Sequence, residues 1–194
     1  MPKIVDALQY RRELLSKCFD LFANRGYANV TTRQIAKELG VSTGTLYHYF
    51  PSKQALFEQL VEQVSLQDWE ILKGVDKNQT IANRIDALGQ ILIENREYIV
   101  KQTAIWDSFY QQSSTVEINS NSIFQQADLR YQQAILELLD IDDPQLARFV
   151  WTTIDGIARE QINNEDRESF ATQIEILTQM LIAYFEKHIS IVEH

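Results

Sequence analysis

The chain has 194 residues, of which 45% are hydrophobic and 23% charged, a balance typical of a globular protein with a buried core. A single cysteine excludes an intrachain disulfide, and no apolar run approaches the roughly 20 residues that span a bilayer, so we expect a cytoplasmic protein without a membrane anchor. The net charge is −9, yet residues 1–53 hold eight Lys and Arg against four Asp and Glu. This asymmetry favours a polyanionic partner for the N-terminal part, although charge alone leaves a chance fluctuation open.

Helical periodicity runs through almost the whole chain, and only three prolines and six glycines interrupt it. In the first predicted helix, Leu15, Cys18, Phe19 and Phe22 follow the spacing of a single apolar face. No alternating segment argues for a sheet, so the sequence predicts an all-α fold of about nine helices. The expected helices cover about residues 6–25, 32–39, 42–50, 52–74, 80–94, 96–112, 120–139, 143–163 and 167–189.

Residues 31–53, with the sequence TTRQIAKELGVSTGTLYHYFPSK, contain two short helices separated by a tight connection at Gly40 and Val41. This is the pattern of a helix-turn-helix, whose second helix lies in the major groove of DNA. Ser42 and Thr43 supply short hydrogen-bonding side chains at the start of the second helix, where free N–H groups favour a phosphate. The sequence therefore predicts a DNA-binding motif in this segment.

The second helix of the motif is rich in aromatic residues. Leu46 and Phe50 share one face and are expected to pack on the two preceding helices, whereas Tyr49 fits either the core or the surface. Tyr47 and His48 point elsewhere, and exposed amphipathic rings suit contacts with phosphates, sugars and thymine methyl groups. The alternative is that all these rings build a core. A metal role for His48 is not expected, because no Cys or second His stands at ligand spacing.

A family resemblance is carried by the segment from Thr31 to Phe57, which reads T-T-x-x-I-A-x-x-L-G-V-S-x-G-T-L-Y-x-Y-F-x-S-K-x-x-L-F. It resembles the N-terminal DNA-binding domain of the TetR family of transcriptional regulators. The resemblance implies a homodimer with two DNA-binding heads. Many members carry Lys or Arg where this chain has Thr43, so the operator sequence cannot be carried over. By position, the resemblance implies DNA contacts of Thr32, Arg33, Ser42, Thr43, Gly44, Tyr47, His48 and Lys53.

The resemblance also implies two domains with a shared mechanism. Residues 1–53 would form the helix-turn-helix domain and residues 54–194 an antiparallel helical domain for ligand binding and dimerisation, with a fourth helix at about 52–74 connecting them. A ligand in the body would shift this fourth helix and change the separation of the two recognition helices. The expected function is that of a repressor that a small molecule releases from its operator.

The body contains many large aromatic residues, and the family resemblance implies a ligand cavity among its middle helices. Asp107 and Asp155 lie near these aromatic residues, and a carboxylate in an aromatic site would suit a cationic ligand. The alternatives are an ordinary helix-bundle core for the rings and solvated acids on the surface. The expected ligand-binding residues are Trp106, Phe109, Tyr110, Phe124, Tyr131, Trp151 and Asp155.

The last two predicted helices, at about 143–163 and 167–189, carry apolar faces that a monomer would expose. In the family such helices pair across a two-fold axis, so we expect a homodimer through them.

Other functions find little support in the sequence. We expect no enzyme, metal or cofactor, because the histidines do not cluster and no phosphate loop or nucleophile elbow is present. Cys18 lies on an apolar face and is expected to be a buried, inert thiol. The alternative that stays open is a DNA-binding regulator without small-molecule sensing, either an activator or a regulator controlled by another protein.

Overall fold

The structure, a computed structural model, describes residues 6–113, 120–162, 164 and 166–192, and the regular elements in these ranges are all helices. The predicted all-α fold is confirmed, with helix ends displaced by a few residues from the predicted ones. The helices of the described part are α1 (Ala7–Arg25), α2 (Thr32–Glu38), α3 (Thr43–Tyr49), α4 (Lys53–Lys73), α5 (Ile81–Glu94), α6 (Arg96–Tyr110), α7 (Ser122–Leu139), α8 (Pro144–Glu160) and α9 (Arg167–Val192).

Side-chain caps fix where the helices begin. The Asp6 carboxylate accepts a hydrogen bond from the backbone N–H of Leu8 at the start of α1. Thr31 and Gln34 form a reciprocal capping box on α2. The Asp143 carboxylate caps α8, whose first residue is a proline that lacks the N–H group left free at this position. Local sequence therefore sets these ends before any tertiary packing.

The chain divides into two compact units. The first contains the described residues up to Gln67 together with those from Ala104 to Asp128. Its interior is aromatic: the Phe57 ring stacks on Phe109 with a centroid distance of 4.3 Å and lies edge-on to Trp106 at 5.6 Å. The predicted division at residue 53 concerns function and stays a prediction, whereas the compact unit is assembled from two separate stretches of sequence.

Gly26 ends α1 within this first unit. Its φ of 74° lies in the left-handed region, and its N–H group donates to the Phe22 carbonyl. A Cβ atom at this position would lie 2.8 Å from the Ser108 hydroxyl. Glycine is therefore required here both by the turn and by the close approach of α6.

The second unit contains residues Asp68–Thr103 and the described residues from Leu129 onward. Helix α5 packs mainly along α9. Gly89 permits this approach, because a Cβ atom there would lie 2.8 Å from the Thr178 methyl group. The main buried cluster of this unit is aliphatic apart from Phe170 and Phe185 and includes Ile85, Leu88, Leu139, Val150, Ile154, Ile174, Leu177 and Leu181. In the described part of the chain, no helix is sufficiently long and apolar to cross a bilayer.

Candidate nucleic-acid interface

Helices α2 and α3 form the predicted pair, and their inner faces are closed by apolar side chains. Ile35, Leu46 and Phe50 are buried, as the sequence predicts for the inner face. Gly40, with a φ of 68°, lets the chain leave α2, and the Val41 N–H group donates back to the Ala36 carbonyl at 2.9 Å. This is a Schellman-type ending, in which a left-handed glycine satisfies carbonyls of the last turn.

The opposite side of the motif is exposed. Tyr47 is 51% exposed although it is a large aromatic residue. Arg33, on α2, is also exposed, and no ion pair engages it within the residues that the structure describes. Such a surface offers a cation and a phenol on the two helices of the motif. The other predicted contact residues on this side that are exposed are Ser42, Thr43, Gly44 and His48, whereas Thr32 is partly buried.

Ser42 has a structural role in addition to the predicted one. Its hydroxyl oxygen accepts a hydrogen bond from the Thr45 N–H group at 2.9 Å and so caps α3. Tyr49, which the sequence left between core and surface, is partly buried and packs against Tyr10 of α1 with ring centroids 5.5 Å apart. Tyr49 therefore belongs with the residues that hold α3 on α1.

Lys53 turns inward instead of lying open on the surface. Its ammonium donates to the carbonyls of Tyr27 and Val30 at 2.8 and 2.9 Å, and it lies 4.1 Å from the centroid of the Tyr27 ring. Burial lowers the pKa of this lysine. Its side chain thus fixes the loop that precedes α2, a role that the sequence did not predict. The predicted phosphate contact stays a prediction.

The predicted ligand-binding residues are divided between the two units. Trp106, Phe109, Tyr110 and Phe124 belong to the first unit. There the Phe109 and Phe124 rings lie 5.0 Å apart next to Phe57, so these rings pack mainly on one another.

The remaining candidates belong to the second unit. The Tyr131 and Trp151 rings stack in parallel with centroids 4.2 Å apart. The Asp155 carboxylate accepts a hydrogen bond from Arg159 of the same helix at 3.0 Å. The predicted ligand-binding residues therefore form two separate aromatic groups, and the one acid among them, Asp155, forms an ion pair with Arg159.

A buried carboxylate in the second unit escaped the sequence analysis. Asp68 accepts hydrogen bonds from the Tyr98 hydroxyl at 2.9 Å, the Gln102 amide at 2.8 Å and the Tyr131 hydroxyl at 2.7 Å. Burial raises the pKa of Asp68 in spite of these three bonds, which lower it. Burial and the nearby carboxylate also raise the pKa values of Tyr98 and Tyr131.

A signal for Asp68 exists in the sequence. It lies four residues after Val64 and eight after Leu60, on the apolar face of α4. An acid on such a face has to be paired or hydrogen-bonded when it is buried. Within the described residues no cation lies within ion-pair distance of it, so the phenols and the amide carry the whole interaction.

Cys18 is fully buried, and desolvation raises the pKa of its thiol to about 12. The predicted buried position is confirmed. The protonated thiol packs as a small apolar side chain.

Comparison with known proteins identifies the family. The model of the bacterial regulatory proteins of the tetR family matches residues 14–60. Over 132 residues the chain is 30% identical to the nucleoid occlusion factor SlmA of Aliivibrio fischeri (strain MJ11), covering 66% of this chain and 67% of that protein. The chain belongs to the TetR family. As a TetR-family member it is a DNA-binding transcriptional regulator, and the predicted helix-turn-helix is its DNA-binding motif.

Two further TetR-family likenesses are informative. The transcriptional repressor KstR2 of Mycobacterium tuberculosis is 31% identical over 100 residues, which cover 51% of this chain and 49% of that protein. The solved structure of FadR from Bacillus subtilis in complex with stearoyl-CoA aligns with a TM-score of 0.65 at 18% identity, covering 88% of this chain and 96% of that one. This last likeness concerns the fold.

Proposed function

We propose that this TetR-family regulator is a homodimeric repressor that a small molecule releases from its operator. The observation that carries the proposal is the hydrogen bonding of Asp68. Helix α4 begins next to the recognition helix α3, and at Asp68 it is bound to Tyr98 and Gln102 of α6 and to Tyr131 of α7. A ligand that rearranges these partners acts directly on the helix that leads out of the DNA-binding head.

The DNA-binding face of the proposal is the exposed side of α2 and α3. A major groove admits a helix, and short polar groups at its N-terminus can approach phosphates and base edges. The residues proposed to contact DNA are Thr32, Arg33, Ser42, Thr43, Gly44, Tyr47, His48 and Lys53.

The proposed dimer surface lies on α8 and α9. Phe149 is 56% exposed on α8, and Ile176 and Met180 are 50% and 61% exposed one turn apart on α9. No side chain fills the space at Gly156 of α8, since a Cβ atom built there meets nothing within 4 Å among the described residues. A second copy related by a two-fold axis would bury these groups in an isologous interface.

Small-molecule control is supported by the aromatic composition of both units and by the fold shared with a stearoyl-CoA-bound relative. The residues proposed for ligand contact are Trp106, Phe109, Tyr110, Phe124, Tyr131, Trp151 and Asp155. Tyr131 is the strongest of these candidates, because its hydroxyl bonds Asp68 and its ring stacks on Trp151.

The test begins with selection of an operator from random duplexes by the purified protein. Compounds that raise the melting temperature of the protein are then titrated into the operator complex, since binding to the folded state stabilises it. We expect at least one such compound to release DNA, and Tyr131→Phe to shift the concentration that releases half of the complex. Stabilising compounds that leave operator affinity unchanged would contradict the proposal.

A second candidate is a DNA-binding protein without small-molecule control. It is favoured by the likeness to SlmA, a relative named for nucleoid occlusion and not for a ligand response. The same titration separates the two candidates, because only the first loses operator affinity when a stabilising compound is added.

A further inference from the structure

A partly open cavity of about 290 Å³ is lined by residues of the first compact unit. It lies between the loop before α2, the start of α4, the end of α6 and the start of α7, and its walls include Tyr27, Lys53 and Phe109. The volume is at the lower end of the range of about 300–1,000 Å³ that ligand pockets occupy. Its size therefore suits a small molecule and not a long acyl chain.

One wall of the cavity carries a positive charge. The Lys53 ammonium uses two of its three N–H donors on the Tyr27 and Val30 carbonyls. No carboxylate lies within ion-pair distance of it in the part of the chain that the structure describes. The ammonium thus retains one donor and a charge without a counter-ion, and burial lowers its pKa.

The Glu58 carboxylate, which acts electrostatically on Tyr27, is held by amides. One Glu58 oxygen accepts hydrogen bonds from Gln54 at 3.0 Å and Asn121 at 2.6 Å. The Asn121 side-chain oxygen in turn accepts from the Ile123 N–H group at 3.0 Å. These bonds fix the Glu58 carboxylate and leave Lys53 as the charged group that lines the space.

Another part of the wall is aromatic and lies beside the polar side chains of Gln54, Gln112, Ser113 and Asn121. The Tyr27 and Phe109 rings are 5.0 Å apart, and so are the Phe109 and Phe124 rings. All three line the cavity. Neighbouring aromatic rings favour an aromatic or similarly flat ligand, which they contact edge-on or by offset stacking.

We propose that this cavity binds a small anionic molecule with a flat apolar portion, of the aromatic carboxylate class, whose anionic group pairs with the Lys53 ammonium. An anion held by the remaining donor competes with the Tyr27 and Val30 carbonyls for the ammonium and thereby loosens the loop that positions α2. Ligand binding at this site therefore acts directly on the position of α2 in the DNA-binding motif. Only this consequence for DNA rests on the proposed function; the binding itself does not.

Binding is tested on the full chain without DNA. Benzoate, benzyl alcohol and benzylamine are titrated separately while backbone amide resonances are recorded by NMR. We expect benzoate to bind with a Kd at or below the millimolar range, about tenfold or more tighter than the other two, because a charge-assisted contact discriminates by this amount. The shifts are expected at residues 27–31, Phe109 and Phe124. Equal affinities, no benzoate binding up to about 10 mM, or shifts confined to the second unit would overturn the proposal.

Two variants of Lys53 isolate its charge. Lys53→Gln keeps a donor for the loop carbonyls and removes the charge, whereas Lys53→Arg keeps both. We expect Lys53→Gln to weaken benzoate binding about tenfold or more, and Lys53→Arg to bind more tightly than Lys53→Gln. Equal affinities of the two variants would contradict a role for the charge.

A third variant keeps the test informative if the Lys53 variants do not fold. Gln112 is exposed at the rim of the cavity, and Gln112→Trp fills the space without changing Lys53. We expect this variant to keep the melting temperature of the wild type in the absence of benzoate and to lose benzoate binding. Undiminished binding would place the ligand elsewhere and overturn the proposal.

The regulatory consequence is read separately on the selected operator. Benzoate at saturation is expected to weaken operator binding by the wild type and to have no effect on Gln112→Trp. A protein that binds benzoate in the cavity but keeps its operator affinity would refute the coupling alone. A protein that selects no operator would refute the proposed function and leave the binding result standing.

Discussion

At the scale of single residues, two partly buried charged groups stand out. Lys53 and Asp68 belong to the same helix, and each is held by neutral partners, which are carbonyls for the lysine and two phenols with an amide for the aspartate. A buried charge without an opposite charge is costly, and hydrogen bonds offset only part of that cost. Both positions are therefore sensitive to anything that changes charge nearby.

The raised pKa of Asp68 predicts the direction in which the unfolding free energy changes with pH. A carboxyl with a raised pKa in the folded state stabilises the fold when it is protonated, and this contribution is lost as the pH rises through the folded-state pKa. We expect the unfolding free energy of the wild type to fall relative to that of Asp68→Asn as the pH is raised above about 4. The relative slope is at most about 1.4 kcal/mol per pH unit.

Chemical denaturation at several pH values measures this difference. Glu70→Gln is the matched control, because Glu70 is an exposed acid two residues further along the same helix. Its unfolding free energy should follow the pH profile of the wild type. Parallel profiles for the wild type and Asp68→Asn would show that burial does not shift the Asp68 pKa.

Arg33 allows a second prediction at this scale. It is an exposed cation of the proposed DNA-binding face, so Arg33→Ala removes one phosphate or base contact without disturbing the core. We expect operator affinity to fall roughly tenfold or more if a base contact is lost. The slope of log affinity against log salt should become shallower by about 0.9 if the contact is to phosphate.

Arg12→Ala is the control for Arg33→Ala. Arg12 is exposed on α1, outside the helix-turn-helix, and its loss changes the net charge equally. Quantitative binding at several salt concentrations should show a smaller change for Arg12→Ala. Equal effects of both variants would mean that only the overall charge of the N-terminal segment matters.

At the scale of elements, local and long-range interactions were predictable to different degrees. The caps at Thr31 and Ser42 and the turn at Gly40 follow from the sequence because they involve neighbours within five residues. The inward faces of α2 and α3 follow from helical periodicity for the same reason. The inward turn of Lys53 depends on carbonyls more than 20 residues away, and no local pattern reveals it.

The same reasoning explains the predicted ligand residues. Periodicity identifies Phe109 and Tyr131 as large inward residues but does not say that they belong to different units. Whether these residues line one cavity or two depends on how α4, α6 and α7 pack, and a single sequence does not show this packing. The role of Asp68 could not be predicted in full, because its hydrogen-bond partners lie 30 or more residues further along the chain.

The contact between α5 and α9 gives a prediction at this scale. Gly89→Ala would gain about 1 kcal/mol in helix propensity. Its new methyl group would meet the Thr178 methyl at 2.8 Å, and overpacking of this kind costs about 1–3 kcal/mol. We expect a net loss of stability and a lower melting temperature.

Thr178→Ser removes the clashing methyl group and keeps the hydroxyl that donates to the Glu175 carbonyl. The double variant Gly89→Ala with Thr178→Ser should therefore be more stable than the sum of the single effects. Thermal unfolding of the four proteins in the cycle measures the coupling. Additive effects would show that α5 and α9 adjust without strain.

At the scale of the whole molecule, the exposed apolar groups of α8 and α9 are the feature that a monomer does not explain. Phe149, Ile176 and Met180 are all at least half exposed. Large apolar side chains that are exposed next to one another, as Ile176 and Met180 are one turn apart, mark an interaction site. The charge distribution is consistent with a dimer that binds DNA, since the basic residues are concentrated at the N-terminal end of the sequence, distant along the chain from α8 and α9.

Met180→Glu tests the proposed dimer. A charge in an apolar interface is desolvated without a partner, so we expect dissociation to monomers at micromolar protein concentration and loss of cooperative operator binding. Gln179→Glu adds the same charge at the adjacent exposed position and should remain dimeric. Sedimentation velocity distinguishes the two outcomes, and a dimeric Met180→Glu protein would place the interface elsewhere.

The two-part construction of the first compact unit has a consequence for protein engineering. Phe57 receives the rings of Trp106, Phe109 and Phe124 from a stretch some 50 residues further along the chain. A chimera that grafts the N-terminal segment onto the body of another regulator would break these contacts. Such chimeras should include residues 104–128 together with the N-terminal segment, so that Phe57 keeps its ring contacts beneath the transplanted recognition helices.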